Sequence, residues 1–71
     1  MGNVIEPDEQ LIFECKTFLP KIGMIDAHNL TTNVILYTNA CKEGDIEKVK
    51  YWEIGLRKKI HKARMELCKN Q

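Results

Sequence analysis

Two residues, Gly44 and Asp45, divide the C-terminal two-thirds of this sequence and constrain it more than any others. Glycine accepts the left-handed backbone on which helices commonly end, and an aspartate directly after it is placed to accept hydrogen bonds from the free amides of the next helix. So short a joint turns the second helix back along the first, which predicts an antiparallel helical hairpin. Beyond it, Ile46, Val49, Leu56, Ile60, Ala63 and Leu67 repeat at the helical period and predict one long helix over 45–69. Glu53 occupies a slot where the stripe should be apolar, with Trp52 beside it to cover the gap. Gly55 costs about 1 kcal/mol relative to alanine inside a helix, so a bend or weak point is expected near Glu53 to Gly55.

Upstream, Pro7 followed by Asp8 and Glu9 is a helix opening, because proline loses no hydrogen bond in the first turn and acids favour the positive end of the dipole. Leu11, Cys15, Phe18 and Leu19 then form an apolar stripe, with Ile12 beside it, and Pro20 and Gly23 end the helix, giving a range of 7–19. A second helix over 27–42 is expected, with Asp26 as its N-cap and Leu30, Val34, Tyr37 and Cys41 on one side. The run Thr31 to Thr38 is rich in β-branched and aromatic residues and competes as a strand. No other segment alternates so as to pair with a strand there, and a lone strand leaves its backbone unsatisfied, so helix is preferred. The expected fold is all-α: one small domain over 1–71, with three helices, a hairpin of the last two, and a long C-terminal helix. Leu11, Cys15 and Phe18 should pack across a seam of Leu30, Val34, Tyr37, Val49, Leu56 and Ile60.

A chain of 71 residues builds only a thin core, with a surplus of a few kcal/mol over conformational entropy at best. Self-association or a stabilising partner is therefore expected. Cys15, Cys41 and Cys68 are an odd and widely spaced set, which suits neither a disulfide framework nor a paired zinc site, so they read as reduced, small apolar residues. A mixed site with His28 and His61 lacks ligand-like spacing. No metal or cofactor is expected. Glu6 stands where a myristoylation signal needs Ser or Thr, and Lys69 and Asn70 spoil a prenylation box at Cys68. With no secretory or membrane-spanning run, the expected location is the cytoplasm, with no membrane partner.

The near-neutral total conceals charge separation. From Lys48 to Lys69, eight basic residues stand against Glu53 and Glu66, a net of +6; from Met1 to Asp26, two stand against five, a net of −3. Cations near a helix C-terminus suit its dipole and keep its outer face solvated, which by itself accounts for much of the pattern. Two further readings are an acidic protein surface as target, and nucleic-acid phosphates met by Arg57, Lys58, Lys59, Lys62 and Arg64. Tyr51 and Trp52 lie about 100° apart around a helix, so one of the two should be partly exposed. Trp52 reads as core more readily than as an interface anchor.

The run Asn39-Ala40-Cys41-Lys42-Glu43-Gly44-Asp45-Ile46-Glu47-Lys48-Val49 resembles the helix-turn-helix joint of pentatricopeptide repeats and, less closely, that of ankyrin repeats. Those families stack copies every roughly 33 to 35 residues, and this joint occurs once, so the resemblance implies a shared turn and no function. For catalysis the chain has no Gly-rich phosphate loop, no HExxH and no serine at all. Cys68 and His61 are seven apart on one helix, roughly 10.5 Å along its axis, too far to couple. Neither an enzyme nor a small-molecule substrate is expected. The expectation is a small non-enzymatic protein-binding regulator, such as an inhibitor, adaptor or chaperone-like subunit, or a homo-oligomer. Its partner-binding residues would be Trp52, Arg57, Lys58, Ile60, Lys62, Ala63, Arg64 and Leu67, because the third helix outruns the second and should leave Ile60, Ala63 and Leu67 partly uncovered. The alternative is a nucleic-acid-binding transcriptional regulator using 57–64.

Overall fold

The computed structural model describes residues 3–69; Met1, Gly2, Asn70 and Gln71 lie outside the described residues. Three helices, α1 (Glu9–Phe18), α2 (Met24–Glu43) and α3 (Ile46–Lys69), make up the fold, with a 3-10 turn at Leu19–Lys21 and no strand among the described residues. The molecule is a rod of 47 × 17 × 16 Å, longer than the roughly 36 Å of α3 alone. The strand-like run from Thr31 to Thr38 is helical throughout. Its helical spacing puts Leu30, Tyr37 and Cys41 into the core, with Val34 packed against them.

The joint forms as its residues dictate. Gly44 has φ 73°, its N–H donates to the Cys41 carbonyl at 3.1 Å, and the Asp45 N–H donates to the Ala40 carbonyl at 3.2 Å, which closes α2 in a Schellman motif. Asp45 then caps α3, its Oδ1 accepting from the Lys48 N–H at 3.2 Å. An alanine at 44 would hold a side chain in the left-handed region. Gly44→Ala should therefore lower stability by about 1 to 2 kcal/mol, read as a shifted urea midpoint with unchanged slope.

Two helix starts differ from those expected. Helix α1 opens two residues later than expected, at Glu9: Asp8 is its N-cap, with Oδ1 accepting from the Leu11 N–H at 3.2 Å, and Pro7 precedes the cap. Helix α2 opens three residues before Ala27, on extended Gly23 with no side-chain cap, and Asp26 lies in its first turn. Helix α3 runs unbroken through Glu53 to Gly55.

The apolar stripe of α3 is covered further than expected. Ile60 and Ala63 are buried and Leu67 is half-buried, with Leu30 of α2 in the same cluster as Ile60. Phe18, Leu19 and Ile22 close that end of the core. The expectation that Ile60 and Ala63 offer apolar surface to a partner is thus corrected: both are interior. One buried cluster, Leu11, Cys15, Leu30, Tyr37, Cys41, Leu56 and Ile60, joins all three helices, with Val49 and Trp52 packed against it.

Candidate protein-docking surface

Two arginines of the basic helix are committed within the molecule. The Arg57 Nη2 lies 3.0 Å from Asp8 Oδ2 and 3.9 Å from Glu53 Oε1. The Arg64 Nη2 lies 3.3 Å from Glu14 Oε2, with its guanidinium 5.9 Å from the centre of the Phe18 ring. Both pairs strap α3 to the acidic N-terminal segment, so the charge separation seen in the sequence is partly internal complementarity. Each pair is solvent-exposed and stabilises by less than about 1 kcal/mol. Asp8 is the busiest of these acids: besides its cap and its ion pair, its N–H donates to the Tyr37 Oη at 2.8 Å, joining one residue of each helix's neighbourhood.

Of the residues expected to bind a partner, Lys58 and Lys62 point to solvent and make no ion pair among the described residues. Lys62 lines a cleft of about 70 Å³ between α2 and α3, together with Asp26, Asn29, Lys59 and Glu66. That volume is well below the several hundred Å³ of a small-molecule site. Trp52 is half-buried against the core, so the exposed member of the aromatic pair is Tyr51, whose ring meets Trp52 edge-on with centroids 4.9 Å apart. Adjacency in sequence showed that the two rings diverge; which one faces in depends on where α2 lies.

Tyr51 begins a seam that sequence reading passed over. Tyr51, Ile54, Lys58, His61 and Met65 follow one another at three- and four-residue steps along the outside of α3, all exposed, with the three apolar members more than half exposed. A helix can present such a spacing to a partner along one line, over roughly 20 Å from first to last. Lys50 and Lys62 flank it. A signal was present in the sequence, a second heptad phase beside the first, but Lys58 and His61 interrupt it and the buried phase is stronger.

No family model, curated protein or solved structure matches this chain. The likeness of residues 39–49 to repeat-protein joints therefore extends no further than the turn itself.

The cysteines contribute nothing to this surface except Cys68, which is exposed on α3. Cys15 and Cys41 are buried, and burial pushes both thiols up, Cys15 to about 11 with the neighbouring Glu14 charge adding to the shift. Thiols held neutral in this way are poor nucleophiles and poor metal ligands. No group of three or more His, Cys, Asp or Glu side chains among the described residues is placed to hold a metal ion. Nor is any described helix long and apolar enough to cross a membrane.

Proposed function

We propose that this protein is a small non-enzymatic regulator, an adaptor or inhibitor, that docks the outer seam of α3 onto an acidic, apolar-grooved surface of a partner protein. The observation that carries the reading is the seam itself: exposed Tyr51, Ile54 and Met65 on one helical line, interleaved with Lys58 and His61 and flanked by unpaired lysines. Apolar anchors on such a line supply affinity when the helix enters a groove, while the surrounding cations select the partner and raise the association rate. Nucleic acid is the less supported target, because Arg57 and Arg64 are engaged with Asp8 and Glu14 and leave mostly lysines to meet phosphates.

Immobilised protein and an Ile54→Glu/Lys58→Glu variant, exposed side by side to lysate of the native host, test this. A small set of proteins should be retained by the original chain, released by raised salt and absent from the variant. Identical captures by both, or retention of nucleic acid alone, would refute the reading. Both substitutions lie on the exposed face, so unchanged helicity by circular dichroism confirms that the variant is folded.

A further inference from the structure

Helix α2 carries exposed apolar side chains on its outside as well as buried ones on its inside. From Ala27 to Cys41, fifteen consecutive residues carry no Asp, Glu, Lys or Arg, in a chain that is 30% charged. Leu30, Tyr37, Ala40 and Cys41 turn inward and are buried. On the opposite side, Ile25, His28, Thr32, Ile35 and Asn39 follow at three- and four-residue steps, with Met24 and Leu36 beside them, and all are exposed. Met24 is 89% exposed, Ile25 78%, Ile35 53% and Leu36 37%. A helix on the surface of a monomer normally carries its charges on such a face, and one that is apolar all round is covered.

We infer that this face is the contact between two copies of the chain, related by a two-fold axis. A two-fold contact sets a surface against itself, so every charge on it meets its own sign nearby. The outer seam of α3, with Lys50, Lys58 and Lys62, would repel itself, whereas the α2 face has no charge to repel. Asp26, the one acid near its start, lines the α2–α3 cleft beside Lys59 and Lys62. Depletion of charge is also a mark of interface cores.

The area agrees. At roughly 180 Å² for a fully exposed aliphatic residue, the four apolar residues expose about 460 Å² per copy, within the range of the largest patch on a monomer, which is often functional. Two such patches with their Thr32, His28 and Asn39 rims bury about 1,200 Å², the lower bound of specific interfaces. The dimer should therefore dissociate on dilution. With the axis between His28 and Thr32 and the helices antiparallel, Ile35 and Leu36 of each copy meet Ile25 and Met24 of the other. This contact is independent of the α3 seam, which stays open on both copies.

Sedimentation velocity over a dilution series of the untagged chain, under reducing conditions, is the test. The expected result is the mass of two chains at high concentration, passing to one on dilution. Ile35→Glu should hold the protein at the mass of one chain throughout, and so should Ile25→Glu, which is more exposed and so less able to disturb folding. Far-ultraviolet circular dichroism checks that both variants stay helical. Ile54→Glu on α3 should leave the dimer intact. A single-chain mass at every concentration overturns the inference, as does a dimer that survives Ile35→Glu and Ile25→Glu or is lost with Ile54→Glu.

Discussion

Tyr37→Ala is expected to leave the chain largely unfolded at 25 °C. The ring is among the largest fully buried side chains, and it belongs to the cluster that joins α1, α2 and α3. Truncating a buried aromatic to alanine costs about 3 to 5 kcal/mol through lost transfer energy and the cavity left behind. A core of this size supplies about that much in total, so one substitution consumes the margin. The hydroxyl adds a separable part. It accepts from the Asp8 N–H, and Tyr37→Phe strands that donor at the entry to α1 while keeping the ring, which costs about 1 to 3 kcal/mol. Urea titrations by circular dichroism should rank the original above Tyr37→Phe and Tyr37→Phe far above Tyr37→Ala. Equal midpoints for the first two would show that the hydroxyl contact is without energetic consequence.

Alkali should weaken the fold in a defined window. Burial, with the Glu14 charge adding to it, raises the Cys15 thiol to about 11, against 9.0 for the free group. Below pH 9 the thiol is neutral in both the folded and the unfolded chain, and its contribution to stability is fully present. Between pH 9 and 11 the unfolded chain releases the proton and the folded one retains it, so stability falls as pH rises, by about 2 to 3 kcal/mol across the window. Cys41 and Tyr37 are shifted the same way by burial and steepen the decline. Urea midpoints measured from pH 8 to 10.5 should fall more steeply for the original chain than for Cys15→Ala. The variant will be less stable at pH 8 but flatter in its dependence, and the comparison cancels the general effect of lysine titration. Parallel curves would refute the assignment to Cys15.

What the sequence made legible was local chemistry. Gly44 and Asp45 carry their turn in their own backbone and side-chain properties, and the hairpin forms as their order implies. The want of any second alternating segment decided helix over strand, and the spacing of Leu30, Val34, Tyr37 and Cys41 then named the side that turns inward. The start of α2 was not legible, because Gly23 opens it through its main chain and leaves no side-chain signature. Nor was the covering of Ile60 and Ala63 legible, because it depends on where Leu30, Phe18, Leu19 and Ile22 pack along α3. The ion pairs of the arginines were not legible on similar grounds. Arg57 and Asp8 lie 49 positions apart, and only the docking of α1 brings them to 3.0 Å. Composition did carry the charge-free run of α2, but its weight depends on knowing that one side of that helix faces water.

The placement of α1 has a consequence for synthesis. Its stripe is made first, yet Leu56, with which Leu11 and Cys15 share the core, follows Leu11 by 45 positions. At about 5 to 20 residues per second, Leu11 and Cys15 spend roughly 2 to 9 s on the ribosome before that partner exists. The thiol most protected in the finished molecule is thus without its packing partner for the whole of that interval.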